Sequence, residues 1–451
     1  MPLHLIKRLR MLLWLYFWIV LFEGVLRKWF FPGLSTPLLV ARDPLALLAL
    51  WWGWPLLQGP RWSLWVNSLF VIGSSAFVFA LLFGHGDLFV AFFGARILVL
   101  QFPLIFLFAS VFNRTDVIAF AWFLALAAIP MTILISIQSG LPPTHFLNQG
   151  PGGDGTSAFL SGALDRFRPS GAFTFVAQLA AFYPIAAASF FSLTYGTKRQ
   201  RFSIPLLFLI SVSLLVAAPV SISRLLVFGY AQVVLAVLIA LIASRSSPVT
   251  FLYGFAALFL GFVVATSVPA FRETQDAFAA RWDMAIAADG RVNGVEQGVS
   301  GTLQNRVLSQ FIEPFSDSYP LIGAGIGAGT NVGAVRLTGD FQFLLSENAW
   351  GASVAEMGLV LGVAFILWRF IFSLYLAWLA LISAYCQNTV PLIMTGSCLL
   401  PLMIGQTFQP TSLGLIVVSC GLALAATNNS EMMSILLSGS SPPSLPALRQ
   451  Q

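Results

Sequence analysis

Stretch after stretch of this chain carries the roughly 18–20 consecutive, nearly uncharged residues that a helix needs to cross a hydrocarbon layer about 30 Å thick. Twelve such stretches begin near Met11, Pro37, Trp62, Leu88, Val117, Gly171, Ser203, Leu225, Thr250, Gly351, Pro391 and Ser412. With 58% of its 451 residues hydrophobic and 9% charged, the chain has too few polar side chains to clothe a water-soluble domain. The apolar runs are continuous rather than alternating, which excludes barrel strands. The expected fold class is all-α, a polytopic membrane helix bundle of about 12 transmembrane helices. Its first span follows Lys7, Arg8 and Arg10 and continues into Glu23 and Arg27 without a small-residue cleavage site, so it reads as a retained helix and not a signal peptide.

Lysines and arginines of the short loops set the orientation. A cytoplasmic N-terminus places Lys7, Arg8, Arg10, Arg61, Arg114, Lys198, Arg199, Arg201 and Arg245 on one side, while the opposite loops "GHGD" and "GQTFQPT" hold no Lys or Arg. An even number of spans, with both termini cytoplasmic, satisfies this asymmetry. The chain then divides into transmembrane helices 1–9 over residues 1–268, a long outer loop over 269–346, helices 10–12 over 347–427, and a cytoplasmic tail over 428–451. "SGSSPPS" in that tail predicts disorder.

A second outer segment covers residues 140–168 and is rich in Gly and Pro. Loops this long in a compact protein usually carry function. Within the longer one, Phe271, Phe278, Trp282 and Ala285 recur at helical spacing after Ser267 and Pro269, and Leu303, Val307 and Phe311 repeat the pattern before Pro314. Both predict short amphipathic helices at the outer membrane–water interface.

Three cysteines, Cys386, Cys398 and Cys420, lie in or beside apolar spans, and His4, His85 and His145 are scattered. No disulfide framework or metal-ligand spacing emerges, so neither a metal nor another cofactor is expected. A net charge of +6 is dispersed among spans and short loops and forms no nucleic-acid-binding face.

Residues 320–333, "PLIGAGIGAGTNVG", place Gly323, Gly325, Gly327 and Gly329 at alternate positions. Such a run can bring bare backbone N–H groups to an anion, or it can let a turn or a helix approach closely. A nucleotide loop would need a preceding strand or a following Lys-Ser/Thr pair, and neither is present. On the outer side a phosphate has to arrive from within the membrane, which points to a lipid-linked diphosphate. Arginines accompany the run at separated points: Arg168 in "RFRPSGAF", Arg224 in "SISR" and Arg306 in "NRVLSQFIEPF". Arginine at membrane depth faces a cavity, a partner or a head group, and its planar fork fits two phosphate oxygens.

In that order and on that side of the membrane, "RPSGAF", "SISR", an outer loop with an arginine, "PLIGAGIG" and "ENAWGASVAEMGLVLG" resemble the O-antigen ligase and O-antigen polymerase superfamily of bacterial membrane glycosyltransferases. The resemblance implies transfer of a glycan from an undecaprenyl diphosphate carrier to an acceptor hydroxyl at the periplasmic face, without a metal. Arg168 and Arg306 match arginines that hold the carrier's diphosphate, and Arg224 matches the arginine of the "SR" turn. Gly323, Gly325 and Gly327 complete the expected diphosphate site. Many members have His-Asn where this chain has Glu347-Asn348, so Glu347 becomes the expected catalytic base, set against a helix-start carboxylate favoured by the macrodipole.

The implied partners are a lipid-linked oligosaccharide donor, a glycan or lipid acceptor and membrane lipids, in surface polysaccharide biosynthesis. A flippase or exporter of the same lipid-linked sugars, which would show internal repeats and broken helices, is the alternative from another class. A decayed catalytic scaffold is a third. Glu356 is expected to pair with an intramembrane arginine, and Glu23, Arg27, Arg42 and Asp43 to form a structural network between spans one and two. Lys28, Trp29 and Phe30 offer an alternative role as a headgroup anchor. Arg96 and Arg369 fall in the fourth and tenth spans as snorkelling or paired groups.

Overall fold

A computed structural model describes residues 2–153, 161–163, 166–196, 204–245, 259, 266, 269–289, 291–292, 295–296, 298–304, 311–312, 321–339, 345–346, 348–407 and 409–428. In chain order the principal helices are α1 (Leu3–Val25), α2 (Asp43–Leu57), α3 (Ser63–Leu82), α4 (Leu88–Arg96), α5 (Leu104–Val111), α6 (Arg114–Gly140) and α7 (Val176–Gly196). They continue as α8 (Ile204–Val220), α9 (Arg224–Ser244), α10 (Pro269–Asp289), α11 (Asn331–Thr338), α12 (Ala349–Tyr385), α13 (Val390–Ile404) and α14 (Pro410–Ala425). A two-stranded ribbon, β1 (Ser161–Ala163) with β2 (Arg166–Phe167), precedes α7.

Eight described helical stretches are long and apolar enough to cross a membrane, and residues 205–220, 390–404 and 410–425 form shorter apolar helices. The protein is a multi-pass helical bundle. The span expected near Thr250 and the tail beyond residue 428 lie outside the described residues. Packing places α7, α13, α14 and α5 at the centre, where α7 contacts α6, α9, α13 and α14. Apolar side chains such as Trp51, Leu64 and Ile242 point outward from the rim helices, as a lipid-facing surface requires.

Three departures from ideal helix shape the interior. A π-turn at Leu26–Phe30 widens the end of α1. The α4–α5 span is interrupted by a second π-turn, Ile97–Gln101, followed by Pro103, which has no N–H to continue the ladder. In α12, Gly358 adopts φ 77° and ψ 171°, a region open essentially to glycine alone. The break is sharp: a Cβ on Gly362 would stand 2.6 Å from the Cα of Val354. Residues 349–357 therefore fold back on the rest of the helix as a buried half-helix.

Contacts sort the chain's turns into two ends. At the basic end, Arg10 meets the Val111 carbonyl and Asp116, Arg61 meets Asn428 and Thr427, Gln387 donates to the Ser244 carbonyl, and Asn388 to that of Ala426. At the opposite, loop end, residues 84–87 meet 324–326, and Arg369 meets Gly405. The expected amphipathic helix of the long loop is present as α10, which starts at a first-turn proline and packs on α8 and β1. Most of its expected successor around Val307 lies outside the described residues.

Candidate functional site

Arg168 stands on a platform that several remote residues hold. Lys28, buried inside the π-turn of α1, donates from Nζ to Ser170 Oγ at 2.9 Å, to the Gly171 carbonyl at 3.0 Å and to the Phe173 carbonyl at 3.3 Å. All three ammonium donors are thereby used. The bare Cα of Gly24 lets α1 come this close, since a Cβ there would stand 2.2 Å from the Ala172 oxygen. Gln138 of α6 grips Gly171 from the other side, accepting its N–H at 2.8 Å and donating to its carbonyl at 3.2 Å. Gly171 itself has φ +61°, and Gln178 then reaches back to the amides of Thr174 and Phe175 in the manner of a capping box at the start of α7. "FEGVLRKW" is thus a support for "RPSGAF"; Lys28 is no headgroup anchor, because it is fully enclosed.

Arg224 opens α9 after a tight turn in which Ile222 takes φ +47°, costly for a β-branched residue and a mark of an over-determined site. One turn on, Phe228 meets Trp282 of α10 with ring centroids 5.9 Å apart. That contact brings the neighbouring Arg281 over the start of α9. Arg281 and Arg224 lie close enough to Arg168 for their charges to act on it. Burial first, then the charges of Arg281 and Arg224, depress the Arg168 pKa to about 10, and its Nε has no hydrogen-bond partner. Burial, followed by Arg224, lowers Arg281 in the same sense. With a pKa of about 10, Arg168 keeps its charge at neutral pH. Among the described residues no carboxylate contributes to the shift of Arg168. The arrangement can receive an anion.

Sequence reasoning brought forward Arg168 and Arg224 but passed over Arg281, which on an amphipathic helix looks like part of a solvated face. Its signal was adjacency to Trp282, on the apolar stripe of α10. Arg306 and the expected base Glu347 lie outside the described residues.

The glycine run is not an open cradle. Gly323, Gly325 and Gly327 are buried, and their amides face the broken part of α12 and its carboxylate. Ala324 N–H donates to the Ala355 carbonyl at 2.8 Å and Gly325 N–H to that of Glu356 at 2.9 Å. Gly329 N–H donates to Glu356 Oε1 at 2.7 Å, with the Gly327 amide also turned toward that carboxyl. A Cβ on Gly358 would stand 2.7 Å from the Gly323 nitrogen. These three glycines, expected at the diphosphate, instead let the loop approach the half-helix at van der Waals limits. Gly94 of α4 serves the same contact, since its Cβ would stand 2.4 Å from the Gly327 nitrogen. Among the described residues, Glu356 is bound by amides and not by the arginine expected for it. His85 completes the clasp: its Nδ1 accepts the Asp87 N–H at 3.0 Å, which leaves Nε2–H to donate to the Ile326 carbonyl at 3.2 Å.

The charge network expected between the first two spans exists and reaches further. Glu23 pairs with Arg27 and Arg42, each at 3.1 Å. Asp43 pairs with Arg96 and accepts from Gln101 Nε2 at 2.7 Å, and Gln101 in turn accepts the Tyr16 hydroxyl at 2.6 Å. Arg369 caps the end of α13, donating to the carbonyls of Leu402 at 2.7 Å and Gly405 at 2.6 Å, where orphan carbonyls and the helix dipole favour a cation.

Among the described residues no three of His, Cys, Asp or Glu converge as a metal site. No family model, curated protein or solved structure matches the chain.

Proposed function

We propose that this protein is a membrane glycosyltransferase of the O-antigen ligase and polymerase kind, moving a glycan from a polyprenyl diphosphate carrier to an acceptor hydroxyl at the loop end of the bundle. The observation that carries it is the placing of Arg168, Arg224 and Arg281 within reach of one another's charges at the loop end, with Arg168 part-buried beside the other two. Such an arrangement suits a group bearing several negative charges.

In the reaction so proposed, the acceptor oxygen attacks the anomeric carbon from the face opposite the diphosphate. The carbon–oxygen bond to phosphate breaks, and its electron pair passes to the diphosphate oxygen. Fixed guanidinium groups take up the charge that builds there, a role for which preorganised donors typically contribute a factor of about 10²–10³ each. The acceptor proton goes to a carboxylate, and Glu347 is the residue assigned to receive it.

A transporter of the same lipid-linked glycan is the second reading, favoured by the broken helix at Gly358. Purified protein in vesicles containing a short-chain polyprenyl diphosphate glycan on both leaflets separates the two. Transfer to an added acceptor, lost in Arg168→Ala and in Glu347→Gln, is the result expected. Exchange of glycan between leaflets with no transfer product would replace the enzyme with the transporter.

A further inference from the structure

Inside the membrane region, Glu23, Arg27, Arg42, Asp43 and Arg96 form one charged group whose members act on each other. Three guanidinium groups face two carboxylates, which leaves one positive charge in excess. Arg42 is 2% exposed. Its Nε stands 3.1 Å from Glu23 Oε2 without the alignment of a hydrogen bond, and its Nη1 has no partner. Nη1 lies against the bare Cα of Gly414 in α14, 2.1 Å from where a Cβ would stand.

Beside it is a small hollow lined by Arg42, Arg96, Gln101, Thr407, Pro410 and Leu413. Thr407 is 1% exposed, and its hydroxyl also lacks a partner. Pro410 and Leu413 belong to the first turn of the 16-residue α14, whose leading amides and dipole present positive potential. Uncompensated charge in a low dielectric is costly unless an opposite charge sits with it.

From this placement we infer that the hollow is a site for one small monovalent anion, chloride in kind, held between Arg42, Arg96, the Thr407 hydroxyl and the start of α14. The hollow admits no more than about one water-sized particle, which excludes a phosphate or a sugar acid. This site is separate from the three arginines of the loop end, and it stands whether the protein transfers glycans or moves them.

The test uses the full-length protein in detergent, with its unfolding temperature measured as chloride replaces gluconate at constant ionic strength. Chloride should raise that temperature by a few degrees along a saturating single-site curve, and bromide should do the same. Thr407→Val should move the midpoint to about tenfold higher chloride. Gly414→Ala, which drives a methyl into the Arg42 guanidinium, should abolish the response. If the Gly414 variant does not fold, Thr407→Val decides alone. Equal unfolding temperatures in chloride and gluconate would overturn the site, as would an unaltered chloride midpoint in Thr407→Val.

Discussion

Arginines occur in two settings in this protein, and the contrast separates those that brace the bundle from those placed to meet the proposed glycan donor. Arg27, Arg42 and Arg96 lie deep, each against a carboxylate that arrives from α1 or the start of α2, while Arg369 serves a helix end. Arg168, Arg224 and Arg281 lie at the loop end, near enough for their charges to act on one another. A paired buried guanidinium is a strut. Guanidinium groups close to one another repel, and a bound anion relieves that repulsion. The difference cannot be read from residue type, only from what stands opposite.

The largest expected effect tests the crowded set. Arg168→Ala, Arg224→Ala and Arg281→Ala should each lower the rate of glycan transfer by about 10²-fold or more, in line with loss of a preorganised donor. The protein should nonetheless stay folded. For Arg168 the sign is definite: its folded pKa, about 10, lies below the usual arginine value, so the charged form is disfavoured by folding throughout the neutral range. Removing that charge should leave the unfolding temperature of the ligand-free protein unchanged or higher. A fall of several degrees in Arg168→Ala, with transfer intact, would move Arg168 into the structural set and erase the contrast.

Next in size is the paired set, where the outcome should be the reverse. Glu23→Gln leaves Arg27 and Arg42 buried without their shared counter-charge. Breaking a buried pair by removing one partner costs about 3–5 kcal/mol. The variant should lose much of its thermal stability in detergent, while the transfer rate per folded molecule stays near that of the parent protein. Measuring both quantities on the same preparations separates the two sets in one experiment.

Much of this was legible in the sequence, for reasons that differ by residue. Long apolar windows fix helices by length alone, and basic loops sort the ends, so the bundle and the shared end of Arg168 and Arg224 could be read directly. Glu23 and Arg27 were legible as a pair because four residues is one helical turn. Asp43 and Arg96 are fifty-three residues apart, and no local spacing connects them. The glycine run told that something approaches the backbone closely, without telling what. A second glycine, Gly358, standing two residues after Glu356, was the available clue that α12 breaks there and offers its carbonyls and carboxylate to the loop. Arg281 stayed hidden because a cation on an amphipathic helix is ordinarily solvated.

Gly358 gives a prediction of intermediate size that sharpens the division between struts and site. A side chain at φ 77°, ψ 171° carries strain of about 1–3 kcal/mol, and a Cβ would also stand 2.3 Å from the Leu321 carbonyl. Gly358→Ala should therefore lower the unfolding temperature, loosen residues 321–330 and increase hydrogen exchange at the Ala324, Gly325 and Gly329 amides. Exchange at those amides should remain unchanged in Arg168→Ala, because the loop is held by Glu356 and not by the arginine group. Equal loosening in both variants would join the two regions into one.

The smallest effect comes from a control that the molecule supplies at the same end: Arg336 of α11 pairs with Asp87 at 2.6 Å, on the surface. Here an outer arginine does have a carboxylate, so it should behave as a weak strut. Hydrogen bonds from the amide of Val90, then Arg336 and the amide of Phe89, hold Asp87 below the usual carboxylate range. A depressed acid contributes stability above its unfolded pKa and loses it as pH falls through the lower folded value. The contribution of this contact should thus be constant from neutrality down to about pH 4 and disappear in more acidic solution. Arg336→Ala should change the unfolding temperature by no more than about a degree at neutral pH, as exposed pairs do, and leave transfer near the parent rate. A loss of transfer comparable with that of Arg168→Ala would mean that position at the loop end, and not membership of the Arg168 group, decides which arginines meet the ligand.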